Sequence, residues 1–249
     1  MTKTETAAKD IALAKADLYR FLSTAFEYLD REKMESLDFL AGDIEAVLDL
    51  LPYDIKKEYS EFQGAINSAD VEPLKFEYSE LFLTRMICTP YENGYGGLRF
   101  DKVNILADIS GFYKAFGFTL SDKAAVMPDH IAVEMEFLSS LALKEAYAID
   151  QGMDENLDIC VTARKKFLAE HIGPWAGVFC RNLEERTTFD FYKKLALLTA
   201  KAIDEELKSY GIVVEVEGVK ELPKEPEEAI TCPSEIAPPS DVAEAPLEI

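Results

Sequence analysis

The stretch Val126-Met-Pro-Asp-His-Ile-Ala-Val-Glu-Met-Glu-Phe-Leu138 concentrates the side chains of this sequence that can do chemistry. Asp129, His130 and Glu134 fall within two helical turns of one another, and His171 is the second of only two histidines. Glu134 follows His130 by four positions, which places both on one helical face. A histidine beside a carboxylate can act as a general base, but no Ser or Cys nucleophile stands next to it in the sequence. His130, Glu134 and His171 are also metal-ligating types; the spacing is not His-Glu-x-x-His, which excludes a zincin at this position. A core helix with a capped, polar first turn is a third reading of the same residues.

The elements that must position these groups are helices. Pro128 has a fixed φ and no N–H, so it suits a first helical turn, with Met127 the last residue outside it. Asp129 would then face the positive end of the helix dipole. Phe137 and Leu141 continue the Glu134 face, and the helix is expected to reach about residue 149. Apolar residues recur at three and four over about 10–29, 32–51, 55–66, 72–84, 102–116, 156–171 and 188–210. Gly173-Pro174 is expected to break the helix before it, with Pro174 starting the next, which carries Trp175. From Thr84 to Arg99 the pattern stops, and Pro90, Gly94, Gly96 and Gly97 stand around Tyr91 and Tyr95. A loop of that length in a helical body is often functional. No Lys-Ser/Thr follows its glycines and no strand precedes them, which argues against a phosphate loop.

Composition narrows the partners. The 249 residues carry 47 acidic and 26 basic side chains, a formal charge of -21, so binding through neutralised phosphates, as on nucleic acid, is excluded. A basic partner is favoured instead. The four cysteines form no C-x-x-C pair, as in a reduced, cytoplasmic protein. No signal-peptide pattern opens the sequence, and no apolar run is long enough to insert in a membrane. Six of the eleven prolines and ten acidic residues fall in 215–249, against two lysines. The expected division is an all-helical domain over 1–211 and a flexible, acidic, Pro-rich tail over 212–249.

Three segments together resemble the redox-enzyme maturation chaperones of the TorD/DmsD/NarJ type. Tyr78-Ser-Glu-Leu-Phe82 followed by Pro90-Tyr-Glu-Asn93 is similar to an aromatic-x-x-Leu-Phe…Pro…Glu-Ser pattern, although the glycine usual between its halves is missing from 83–89. Pro128-Asp-His130 with Glu134 matches Asp-His-x-x-x-Glu, and His171 with Pro174-Trp175 matches His-x-x-Pro-Trp. The resemblance implies a single all-α domain that is not an enzyme and has no catalytic residue, metal or cofactor of its own. It implies a partner: the apo catalytic subunit of a molybdopterin-containing oxidoreductase, or its twin-arginine-type leader, held in the cytoplasm until the cofactor is inserted and export can proceed. Such a leader needs carboxylates for its guanidinium groups and an apolar groove for the rest. The residues implied for binding are Asp129, His130, Glu134, Tyr78, Phe82, Pro90, Tyr91, Glu92, Pro128, His171 and Trp175. Two other classes stay open on the residues alone: a hydrolase using His130 or His171 as base, and a helical metal-binding protein using His130, Glu134 and His171.

Overall fold

The apolar stripes of the sequence are answered by helices, as the all-α reading expects. The computed structural model describes residues 3–97, 101–120 and 126–222. In chain order the helices are α1 (Lys3–Ala25), α2 (Arg31–Val47), α3 (Lys56–Asn67), α4 (Val71–Tyr78), α5 (Lys102–Ala115), α6 (Ile131–Gln151), α7 (Asp154–Phe167), α8 (Gly173–Arg186) and α9 (Asp190–Ser209). Asp30, Asp70 and Asp101 cap α2, α4 and α5, each carboxylate accepting a backbone N–H of the first turn at 2.9–3.2 Å. The α2 helix runs unbroken through Gly42.

The body is built on α1 and α6, which lie antiparallel along most of their lengths. Ala12, Ala14, Ala16 and Ala25 on one helix, and Ala132, Ala142, Ala146 and Ala148 on the other, are buried and let the backbones approach. Two buried hydroxyls join them reciprocally: Ser23 Oγ donates to the Ala132 carbonyl and Ser139 Oγ to the Ala16 carbonyl, both at 2.8 Å. Leu18, Phe21, Leu22, Phe137, Leu138 and Leu141 fill the space beside that seam. The α2, α7 and α9 helices pack around this pair, and α8 and α3 pack on α9.

Two helices do not stop where a simple period would stop them. α4 continues as a π turn over Ser79–Leu83, with the Thr84 N–H donating five residues back to the Ser79 carbonyl at 2.7 Å. α7 continues as a second π turn over Leu168–Ile172 and runs straight into α8, with right-handed helical dihedrals at Leu168, Ile172 and Gly173. Gly173-Pro174 therefore does not break the chain's helical path. Pro174 has no N–H to donate and its ring crowds the previous turn, and the wider π turn just before it accommodates both facts. Gly173 is required there, because a Cβ would stand 2.3 Å from the Leu168 carbonyl oxygen.

The segment after α9 does not leave the body at Gly211. Ile212 and Val214 pack against the core, Val219 is buried, and β2 (Lys220–Glu221) pairs antiparallel with β1 (Tyr95–Gly96). Glu221 accepts from the Thr89 N–H at 2.9 Å, from Asn182 at 3.3 Å and from Arg186. Residues 212–222 of the expected tail are thus a strap over the loop at 89–97, and 223–249 lie outside the described residues. The pairing residues of this segment are Lys220, opposite Gly96, and Glu221, opposite Tyr95.

A second feature has no counterpart in the sequence reading. Lys15, Glu145, Arg164 and Glu206 are all buried beneath α1, α6, α7 and α9. Arg164 donates to Glu145 at 2.6 Å and to the Tyr210 hydroxyl, while Lys15 donates to Glu206 at 3.3 Å.

Leu138→Ala should cost about 2–5 kcal/mol in chemical denaturation, the loss of a fully buried side chain plus the cavity it leaves. Glu221→Ala removes the acceptor for three donors from two elements. The Thr89 amide should then lose protection in hydrogen exchange while amides in the middle of α1 and α6 keep theirs.

Candidate functional site

Residues 89–94 have almost no ladder of their own, so their main chain takes partners from the start of α6. Ile131 N–H donates to the Pro90 carbonyl at 2.9 Å and Glu92 N–H to the Asp129 carbonyl at 3.0 Å, which makes Tyr91 and His130 an isolated antiparallel bridge. The Asn93 N–H donates to Asp129 Oδ2 at 3.0 Å. Tyr113 from α5 donates its hydroxyl to the Pro128 carbonyl at 2.8 Å.

This bridge explains why α6 begins three residues later than Pro128 alone would set it. Pro128 and Asp129 form a turn, and His130 is extended at φ -75°, ψ 137°. His130 is the N-cap, its Nδ1 accepting the Ala132 N–H at 3.1 Å. Asp129, expected in the first helical turn against the dipole, instead directs its carboxylate to the loop. The Tyr91 ring meets the His130 ring edge-on, with centroids 5.1 Å apart.

Behind the bridge lies a buried acid cluster. Glu92, at 1% exposure, reaches His171 Nδ1 at 3.2 Å, and Asp108 from α5 reaches His171 Nε2 at 3.0 Å. Both ring nitrogens face carboxylates, an arrangement that favours the imidazolium form, which can donate from each. Burial pulls His171 down, but Glu92 and Asp108 outweigh it and hold the group above the usual histidine range. Glu134 is completely buried beside Glu92 and Trp175 without a closed hydrogen bond to either. Burial first, then the Glu92 and Asp129 carboxylates, push it well above the usual carboxylate range. Burial alone drives His130 down to about 4, and it raises Asp129 to about 6.

The three motifs read in the sequence therefore meet in space. Glu92, Asp129, Glu134 and His171 share one cluster, and His130, Pro90, Tyr91 and Pro128 form the bridge beside it. Phe82, Tyr78 and Trp175 lie in the adjoining core. Phe82 packs edge-on to Tyr78 and Tyr192 at 5.1 and 5.8 Å, and Trp175 lies 5.2 Å from the Tyr95 ring. All three rings are buried, so they shape the site from beneath. The sequence reading missed Asp108, which looked like one more acid on a helix with no motif of its own. Among the described residues no group of three or more His, Cys, Asp or Glu side chains is arranged to hold a metal ion, so His130, Glu134 and His171 do not come together as a donor set.

Residues 48–181 match the family described as nitrate reductase delta subunit. The chain belongs to that family. The matched span contains the loop, Asp108, the start of α6 and His171. Among the family's relatives, the selenate reductase assembly chaperone protein of Thauera selenatis is 36% identical over 80 residues, 32% of this chain and 40% of that one. The chaperone protein TorD of Photobacterium profundum is 27% identical over 169 residues, 64% of this chain and 73% of that one. The chain spans about half the length of the reductase-assembly relatives it matches. A crystal structure from Archaeoglobus fulgidus, assigned to the redox enzyme maturation proteins, has the same fold, with a TM-score of 0.52 over 76% of this chain and 93% of that one at 21% identity. The resemblance to TorD/NarJ-type proteins seen in three short motifs thus extends over the helical body. The Thauera selenatis relative is named as an assembly chaperone and the Photobacterium profundum relative as a chaperone.

The cluster makes an opposed pair of pH effects. Asp129, raised to about 6, contributes stability that is complete below its unfolded value of about 4 and is lost as pH rises through 6. His130, lowered to about 4, contributes stability that is complete above about 6.5 and is lost as pH falls through 4. Asp129→Asn keeps an acceptor for the Asn93 N–H and removes the first effect alone. Its unfolding free energy should therefore rise between pH 4 and 6.5 more steeply than that of the wild type, by on the order of 2–3 kcal/mol over the window. Parallel stability curves would show that burial does not hold the Asp129 carboxyl protonated.

Proposed function

We propose that this protein is a system-specific assembly chaperone. Its client is the apo catalytic subunit of a molybdopterin-containing oxidoreductase, engaged through an N-terminal twin-arginine-type leader or an equivalent segment. Binding in the cytoplasm holds the client open for cofactor insertion and delays its export. The observation that carries this reading is the clamped junction of the loop at 89–97 with the start of α6, in a chain whose relatives are named as reductase assembly chaperones.

The junction suits recognition better than catalysis. Both histidines are committed to structural roles, His130 to a helix cap and His171 to two carboxylates, and each is buried. What the junction offers to solvent is a rim: Met127 is half exposed, and Pro128 and Tyr91 are partly so. A partner segment laid along that rim would contact Tyr91 and Pro128 directly. Asp129, His130, Glu92, Glu134 and His171 would act by holding the rim in place.

Calorimetric titration of a synthetic twin-arginine leader into wild type, Tyr91→Ala and Asp129→Asn tests the reading, with melting curves to confirm folding. Tyr91→Ala should weaken binding about tenfold, the usual cost of losing an aromatic anchor of roughly 1–2 kcal/mol. Asp129→Asn should weaken it by a similar factor at low and high salt, because a buried group acting through loop position is little screened. A loss that vanishes at high salt would instead place the Asp129 carboxylate in contact with the leader's arginines. Wild-type affinity in both folded variants would remove the junction from the binding site.

A further inference from the structure

We propose that the groove between α5 and α7 seats a basic, apolar segment of the client, as an extension of the chaperone reading and resting on it. The groove is shallow and open to solvent, with a volume of about 660 Å³. Phe112 of α5 and Phe116 at its C-cap form one wall. The other is a single face of α7, where Glu155, Asp158, Ile159, Thr162, Ala163 and Lys166 recur at three and four.

That face has the signature of a surface awaiting a partner. Ile159 is 52% exposed in the middle of it, although α7 buries Cys160, Arg164 and Phe167 on its other side. The groove is apolar at its floor and acidic at the α7 start, where Glu155 and Asp158 are both exposed. Neither carboxylate has an ion-pair partner among the described residues. At the far end Lys166 lies 5.2 Å above the Phe112 ring and 3.7 Å from Glu170, which closes the groove with a cation. The occupant that complements this order carries Arg or Lys at one end and apolar side chains after them. An amphipathic segment in a groove between two helices is an established mode of recognition, and a chain of net charge -21 attracts a basic one.

The groove is also joined to the buried cluster. The Phe112 ring stands edge-on to His171 with centroids 5.5 Å apart, and α5 carries Asp108 one turn before Phe112. The Glu92–His171–Asp108 chain thus fixes α5 relative to the π turn that leads out of α7, and with it the width of the groove. Recognition by this surface answers a difficulty in the motif reading, since the Asp129 and Glu134 side chains are too buried to meet guanidinium groups without the loop opening.

The test titrates two synthetic peptides into the full-length chain. One has adjacent arginines followed by an apolar run; in the other the arginines are replaced by glutamates. The variants are Asp158→Lys, Ile159→Ser and Lys166→Glu, each exposed enough to fold, with melting curves as control. Asp158→Lys should weaken binding of the first peptide about tenfold at low salt and less at high salt. Ile159→Ser should weaken it at both, and Lys166→Glu should tighten it several-fold, a gain that damage to the fold cannot produce. The glutamate peptide should bind poorly to all. Wild-type binding unchanged in the three variants overturns the groove and leaves the chaperone reading intact. No binding of either peptide to the wild type overturns the groove together with the leader form of that reading. A dimer dissolved by Ile159→Ser, with peptide binding unaffected, would assign the groove to a second copy and overturn the proposal as well.

Discussion

Burial of the Glu92 carboxylate against His171 is the interaction on which the loop at 84–97 depends. The loop has only a single 3-10 turn at Glu92–Gly94 and a two-residue strand to order it, and an acid taken out of water costs several kcal/mol unless it is paired. His171 supplies the pair and is itself met by Asp108 from the other side. The members come from four places: the loop, α5, α6 through Glu134, and the π turn after α7. Each therefore constrains the other three, and the loss of any one leaves a buried group uncompensated. The π turn matters here because it places His171 immediately before the Gly173-Pro174 pair, in a segment whose widened geometry Pro174 makes necessary.

The second buried network contrasts with the first in charge. Lys15 and Arg164 balance Glu145 and Glu206, so the four ions neutralise one another within the core. The site cluster sets one imidazole, His171, between Glu92 and Asp108, and burial raises the neighbouring Asp129 and Glu134 above the usual carboxylate range. Both clusters use α6, about 16 Å apart along its axis at Glu134 and Glu145. One end of that helix thus carries an electrostatically closed structural lock. The other carries a junction of buried acids that ties the loop to the start of the helix.

Much of this was legible in the sequence. The helical stripes gave the all-α class because burial on one face forces a period that any window of the sequence displays. The site was legible as three motifs, since each carries an unusual residue type: two histidines and a proline-flanked acid. Asp108 was hidden because an Asp on an exposed helix face looks the same whether or not a histidine stands opposite. The buried charges at Lys15 and Arg164 were hidden for a related reason, as charge ordinarily marks the solvent side of a helix. The start of α6 was misplaced because Pro128 is locally suited to a first turn, and the main-chain bonds to Pro90 and Glu92 that move it are tertiary. Met86 is a clearer case. The sequence lacks the glycine that the family pattern carries in this loop, and the chain turns there with Met86 at φ 45°, a conformation that favours glycine.

Motif and contact surface are different things in this molecule. Most of the motif residues, Glu92, Asp129, His130, Glu134, His171 and Trp175 among them, are buried, and a buried residue can choose a partner only by changing the shape of what lies above it. Their shared task is therefore geometric: they hold a loop, a helix start and a π turn in register, whichever client is bound. On the chaperone reading, discrimination between clients falls to side chains that solvent reaches, and apart from Tyr91 and Pro128 those lie outside the motifs. Met127 and Tyr91 border the junction, and Ile159, Asp158 and Lys166 border the groove. On this argument, exchanging exposed residues between related chaperones should transfer client preference without disturbing the fold. Exchanging motif residues should instead change stability in every member alike, because the buried cluster has no access to the feature that distinguishes one client from another.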